Sequence, residues 1–232
     1  MIQRRPSADR GFFDHGWLKT HHTFSFAHYV DPAWMGFRSL RVLNDDRIEG
    51  GKGFGKHGHE NMEIISYVVA GALEHKDSLG NGSVLRPGDI QRMTAGSGIR
   101  HSEWNASRTD EVHLIQTWIL PERDGLDAGW EEKHFPIEER ANRFCTLVAH
   151  DRRDGSLGIH QDVIMLAGTF DPGATARYDL APGRHAWIQI ARGSARIHDT
   201  LLEEGDGAAV RDETRVDIEA VTEAEVLVFD LA

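Results

Sequence analysis

A single cysteine, Cys145, in 232 residues leaves no internal disulfide to form and too few thiolates for a cysteine-based zinc site. Long apolar runs are missing as well: none approaches the roughly 18 residues that a membrane-spanning helix needs, which excludes a helical membrane protein. Met1 to Phe13 carries Arg4, Arg5, Asp9 and Arg10 where a secretory signal would have an apolar stretch. Together these absences point to a cytoplasmic protein. Basic residues are in deficit too, with 26 Lys and Arg against 37 Asp and Glu and a net charge of −11. Such a field repels phosphate backbones and anionic bilayers, so neither nucleic acid nor a membrane surface is an expected direct partner. Helical periodicity is equally scarce. The best helical stretch lies within Trp130 to Arg143, and Pro136 interrupts it, which makes it a connector rather than a core helix.

What the chain does contain is a soluble globular balance, 40% hydrophobic and 27% charged residues, in a length suited to one large β domain or two smaller ones. Runs rich in β-branched and aromatic residues at Ile64 to Val69, Val112 to Leu120, Ala186 to Ala191 and Glu225 to Leu231 predict strands. Turn signals such as Leu79-Gly-Asn-Gly82, Arg86-Pro-Gly-Asp89, Asp171-Pro-Gly173 and Ala181-Pro-Gly183 separate them at sandwich or barrel spacing. The chain therefore reads as all-β. A weak internal repeat aligns Tyr67–Asp77 with Gln189–Asp199, each copy running from an apolar strand through a glycine into a second strand that ends at Asp. The expected organisation is an N-terminal barrel over residues 1–125, a connector over 126–143 and a C-terminal barrel over 144–232.

Histidine is the compositional outlier, with 14 copies. The sharpest motif is His57-Gly58-His59, because residues i and i+2 of a strand share a face and so aim two imidazoles into one space. Glu63 follows four residues later and shares their parity. His101-Ser102-Glu103 repeats the i, i+2 step with one imidazole and one carboxylate. If the two segments are neighbouring strands, three nitrogens and one oxygen converge inside the barrel, a set that suits Fe, Cu, Mn, Co, Ni or Zn. Histidines 150, 160, 185 and 198 form no such pair, so no second site is expected in the C-terminal half. Phe24, Phe26, Phe37, Trp17, Trp34 and Met35 form an aromatic-rich N-terminal cluster that reads more as core than as a ligand wall. His21 and His22, being adjacent, point to opposite strand faces.

Gly51-x5-His57-x-His59-x3-Glu63 followed by Gly71, with Gly98-x2-His101-x3-Asn105, resembles the two motifs of the cupin superfamily. Within it, Met93 to Glu103, Phe54 to His59 and His22 to Phe26 resemble the pirin family, and bacterial pirin-like quercetin 2,3-dioxygenases in particular. The resemblance implies a bicupin: two facing antiparallel, jelly-roll-like barrels with few short helices and metal only in the N-terminal one. Carried over residue by residue, it puts the metal on His57, His59, His101 and Glu103, with Glu63 behind the ligands or structural. Two departures from the general cupin pattern stand out: Gly96 replaces the usual proline, and the spacer from Glu63 to Gly71 is one residue longer.

The implied activity is opening of the central ring of a flavonol such as quercetin by O₂, with release of carbon monoxide and formation of a depside ester. Its cofactor is one divalent transition metal, Fe(II) being the first choice. Glu103 is the candidate catalytic residue, acting as ligand and as base toward the flavonol hydroxyl. The expected partners are thus a small aromatic substrate and O₂, and the expected state is a monomer. The other classes left open are a metal-dependent redox sensor or transcriptional cofactor that binds a protein partner, and a metabolite-binding or isomerase cupin that works without O₂.

Overall fold

In the computed structural model, which describes residues 1–232, the four strongest strand signals become Glu63–Ala70, Val112–Ile119, His185–Arg192 and Ala224–Leu231. The chain divides into two units, and each consists of a seven-stranded and a four-stranded sheet. The only helical elements are three short 3-10 turns. The all-β bicupin architecture is therefore the observed one.

The first barrel comprises Gly11–Phe135 and Ile159–Gln161. Its large sheet runs, in spatial order, Gly129–His134, Asp89–Thr94, Glu63–Ala70, Val112–Ile119, Leu40–Ile48, Leu18–His22 and Gly11–Asp14. Its small sheet runs Gly53–His59, Ile99–Asn105, Leu73–Asp77 and Gly82–Leu85. All of these pairings are antiparallel.

The second barrel comprises Met1–Arg10, Pro136–Gly158 and Asp162–Ala232. Its sheets have the order Ile2–Arg5, Gly207–Val210, His185–Arg192, Ala224–Leu231, Val163–Phe170, Cys145–Ala149, Leu157–Gly158, and Thr175–Asp179, Arg215–Ala220, Ser194–Ile197, Thr200–Glu203. Strand for strand this matches the first barrel, and the aligned segments 67–77 and 189–199 occupy equivalent hairpins.

Three expected boundaries need correction. The N-terminal strand Ile2–Arg5 belongs to the second barrel, because its backbone covers the otherwise open edge of Gly207–Val210. Within the stretch expected as a connector, Gly129–His134 is the edge strand of the first barrel, paired with Asp89–Thr94, and Trp130 packs against the Ile64 and Met93 cluster. Pro136 then opens the 3-10 turn Ile137–Arg140 and no α-helix forms. Finally, Ile159–Gln161 lies in the first barrel although the chain on either side belongs to the second. His160 is consequently a residue of the first barrel.

The two interiors differ. In the second barrel aliphatic side chains such as Ile188, Ile190, Ile197, Val216, Ile218 and Val228 form one contiguous cluster. In the first barrel the apolar interior is split between a cluster around Leu18, Ile48, Val68, Leu73 and Leu114 and another around Ile64, Met93 and Ile99. A polar row crosses its large sheet, in register His22, Asn44, Gln116, Ser66 and Gln91. Directly paired residues share a sheet face, and Ser66 and Gln116 reach Glu103 of the opposing sheet, so the whole row faces the barrel interior.

Gly96 has an explanation in backbone geometry. Its φ is +48° and an added Cβ would lie 2.1 Å from the carbonyl oxygen of Leu126. Proline, whose ring fixes φ near −65°, cannot adopt that conformation.

Candidate metal centre

The H-x-H and H-x-E segments are neighbouring strands. Gly53–His59 pairs antiparallel with Ile99–Asn105, and His57 stands directly opposite His101. Between that pair and the Phe54 to Glu103 pair the register shifts, because Gly53–His59 carries one extra residue. The local bend lets the Gly55 carbonyl accept a 2.8 Å hydrogen bond from His57 Nδ1. Close packing at the start of this strand demands glycine: a Cβ on Gly53 would lie 2.3 Å from the Glu103 carbonyl oxygen.

His101 Nε2 lies 2.9 Å from His59 Nε2 and 3.0 Å from His57 Nε2. Since a carbonyl only accepts, His57 is protonated at Nδ1 and its Nε2 presents a lone pair. Imidazole nitrogens this close require a proton or a cation between them. Two nitrogens at right angles about an ion, each roughly 2.0–2.1 Å from it, would be about 2.8–3.0 Å apart, so both separations fit a transition metal.

The protonation equilibria agree with that reading. Burial, with repulsion from His101 and His57, pushes the His59 imidazole down to about 4, while Glu103 acts in the opposite direction. Burial, with His57 and His75 adding repulsion, pushes His101 down to about 3, against the pull of Asp77. Both rings are therefore neutral near pH 7, the form in which imidazole binds metals.

Glu103 is 2% exposed. Its Oε1 accepts from Ser66 Oγ at 3.3 Å and its Oε2 from Gln116 Nε2 at 2.8 Å, while Gln116 Oε1 accepts from Trp118 Nε1 at 3.2 Å. Ligand-capable atoms come together in two overlapping groups, His57, His59, His101 and His75, His101, Glu103, each within 4.8 Å. His101 is common to both. The sequence reading did not include His75, although His75-x-Asp77 is itself an i, i+2 pair of metal-site character. It also passed over Ser66 and Gln116, polar residues in strands of mainly apolar composition.

Glu63 stands apart from these groups. The strand holding His57 and His59 ends at His59 and a new one starts at Glu63, so strand parity does not carry across the intervening turn. Glu63 alternates away from the inward Ile64. It accepts hydrogen bonds from Thr94 Oγ1 at 3.1 Å and lies 3.0 Å from His160 Nδ1. Burial raises its carboxyl above the usual range, and Arg92, Thr94 and His160 partly offset the rise.

A cavity of about 300 Å³ opens beside the histidines, at the small end of the roughly 300–1,000 Å³ typical of small-molecule pockets. His57, His59, Glu103 and Gln116 form one wall, Phe26, Phe54, Trp118 and Leu18 supply apolar surface, and Thr20, His22, Asn44 and Asp46 supply polar groups. Trp118 meets the His59 ring edge-on at 4.9 Å and the Phe26 ring at 5.2 Å. The aromatic cluster thus divides: Phe24, Trp34 and Phe37 are buried, Met35 is exposed, Phe26 lines the cavity and Trp17 packs edge-on against Phe54. His22 faces the cavity, and His21 packs against Phe12.

Comparison with known proteins agrees with the fold and with the motifs. Residues 3–119 match the family Pirin, and residues 146–231 match the quercetinase C-terminal cupin domain. Quercetin 2,3-dioxygenase of Escherichia coli K12 is 43% identical, over 100% of this chain and 99% of its own length. A putative quercetin 2,3-dioxygenase of Pseudomonas aeruginosa is 44% identical over 100% of both chains. The crystal structure of the E. coli bacterial pirin YhhW in complex with nickel(II) superposes with a TM-score of 0.94 at 43% identity, covering 100% of this chain and 99% of that one. On its two matched domains and its full-length relatives, the chain belongs to the pirin family of the cupin superfamily.

Proposed function

We propose that this protein is a metal-dependent dioxygenase that opens the central ring of a flavonol such as quercetin with release of carbon monoxide, its metal held by His57, His59, His101 and Glu103. The observation that carries the reading is the convergence of the His57, His59 and His101 ring nitrogens beside a cavity walled in part by Phe26, Phe54 and Trp118. The names of the full-length relatives supply the substrate class. When bound, a divalent transition metal supplies Lewis acidity toward a hydroxyl oxygen and, if redox-active, a centre at which O₂ reacts. Fe(II) is the first metal to test, with Ni(II) beside it because a relative binds nickel.

The chain's own residues have separable tasks. Phe26, Phe54 and Trp118 offer the flat apolar surface against which an aromatic ring system packs and from which water is excluded. Glu103 takes up the flavonol hydroxyl proton on a carboxylate oxygen. Ser66 and Gln116, which donate to that carboxylate, keep it oriented. A proton-accepting Glu103 and an intact histidine cluster make one test sufficient: flavonol loss and carbon monoxide release by Glu103→Gln, loaded with Fe(II) and compared with the parent protein. The expected result is turnover reduced by at least about 100-fold, the lower range for a general base. Undiminished turnover removes Glu103 from the base role. Absence of flavonol-dependent O₂ consumption in the metal-loaded parent would overturn the dioxygenase reading in favour of a redox sensor or an O₂-independent cupin. The cytoplasm and a monomeric state complete the proposal.

A further inference from the structure

His101 presents Nε2 to His57 and His59, and its other ring nitrogen faces a residue outside the proposed ligand set. His101 Nδ1 lies 3.5 Å from His75 Nδ1. His75 is 0% exposed, sits opposite Glu103 on the adjacent strand and stacks nearly parallel to Trp130, at 6.1 Å and 17°. Its Nε2 faces Asp77 Oδ2 at 3.5 Å, an electrostatic contact outside hydrogen-bond geometry. Asp77 is itself fixed by the backbone N–H groups of Leu79 and Asn81 at 2.9 and 3.0 Å, and by Asn81 Nδ2 at 2.9 Å.

One assignment of protons avoids facing a ring lone pair toward the carboxylate. A carboxylate accepts only, so His75 carries its proton on Nε2, toward Asp77. Its Nδ1 then holds a lone pair and accepts from His101 Nδ1–H. That leaves the lone pair of His101 on Nε2, the atom aimed at the other two imidazoles. From this geometry we infer that His75, backed by Asp77, is a positioning residue that fixes the tautomer and ring orientation of His101 for metal binding. Histidine ligands generally donate their second N–H to an acceptor of this kind, and loss of that acceptor weakens metal affinity. The inference rests on the reading of His101 as a ligand.

The test is calorimetric titration of Ni(II) into the metal-free full-length chain, for the parent, His75→Leu, His75→Gln and His101→Ala. The expected results are one ion per chain, affinity lowered about 10–100-fold in His75→Leu, and recovery of most of that loss in His75→Gln, whose amide oxygen again accepts from His101. Nitrogen-15 NMR of the Zn(II)-loaded parent gives a readout that needs no variant: the His75 ring is expected to be protonated at Nε2 and bare at Nδ1. Protonation at Nδ1, unchanged Ni(II) affinity in His75→Leu, no recovery in His75→Gln, or a second ion held by His75 and Glu103 would each overturn the inference. The two levels separate cleanly. If His101→Ala binds Ni(II) like the parent, the ligand reading fails; if it loses binding while His75→Leu does not, only the positioning role fails. Should His75→Leu not fold, the NMR tautomer decides.

Discussion

The depressed pKa values of His59 and His101 make metal binding unusually tolerant of acid, and the size of the effect follows from proton competition. An imidazole with the ordinary pKa of about 6.5 is free of its proton only about one time in 30 at about pH 5, so three such ligands lose about 3 × 10⁴ in affinity between about pH 7.5 and pH 5. With His59 near 4 and His101 near 3, those two remain neutral over that interval and contribute almost nothing to the loss. Even with one further histidine of ordinary behaviour in the site, the expected loss in Ni(II) affinity is about 30-fold. Calorimetry or competition with a chromophoric chelator at the two pH values measures it directly. A loss of about 10⁴ or more would show that the imidazoles titrate freely and are not held together as the structure has them. The same shifts set the stability of the metal-free protein. Both histidines bind protons more weakly folded than unfolded, so stability is greatest above the unfolded value of about 6.5 and falls as pH drops toward the folded values. Bound Ni(II) at about 100 times its dissociation constant would add about 2.7 kcal/mol, a difference that thermal unfolding with and without the ion measures.

Two other substitutions address the carboxylate and the assignment of the N-terminal strand. Gln116→Leu removes the 2.8 Å donor to Glu103 Oε2; hydrogen bonds to charged groups contribute about 1.5–3 kcal/mol, so kcat for flavonol is expected to fall about 10–100-fold while Ni(II) still binds, and an unchanged kcat would remove Gln116 from the mechanism. Deleting residues 1–5 strips Ile2–Arg5 from Gly207–Val210 and breaks the contact between the N-terminal amine and Glu213. Scanning calorimetry is expected to show lower thermal stability and light scattering an aggregating edge, with Ni(II) affinity of any folded fraction unchanged. Loss of metal affinity with full stability would place the strand in the wrong barrel.

How far the sequence discloses this site depends on whether each residue's role is local. His57 and His59 are legible because an i, i+2 step needs nothing beyond strand alternation, and His101 and Glu103 are legible for the same reason. Their convergence is conditional, in the sequence, on the two segments being neighbouring strands, and the structure supplies the register, His57 opposite His101. Parity misleads at Glu63, because a turn after His59 resets the alternation. His75 and Gln116 reach the site only through pairing with strands distant in sequence, Glu103 opposite His75 and Ser66 opposite Gln116. Nothing within ten residues of Gln116 marks it as a partner of Glu103. The placement of the N-terminal strand escapes sequence reading for a similar reason. Ile2–Arg5 reads as the start of the first barrel, and only the register with Gly207–Val210 assigns it to the second.

The two barrels share one strand order and yet only one holds a polar interior, which locates the difference in side chains rather than in topology. In the second barrel, the positions of the small sheet equivalent to the histidine strands carry Ala176, Tyr178, Val216 and Ile218, packed into its aliphatic cluster. Burial of that kind contributes about 25 cal/mol per Å², and the one side-chain polar atom among these four, the Tyr178 hydroxyl, donates to Asp230 Oδ2 at 2.6 Å. In the first barrel the corresponding space is taken by His57, His59, His101 and Glu103, with His75 and the row from His22 to Gln91 around them. Desolvation there works against folding unless the polar groups find partners, and Gln91, 0% exposed, has a hydrogen-bond partner at neither end of its amide. A site that costs stability in the absence of its ion gains it back on binding, because the ion is held by the folded state and not by the unfolded chain. The same sandwich therefore serves in one copy as a dry core and in the other as a cradle whose stability is linked to metal.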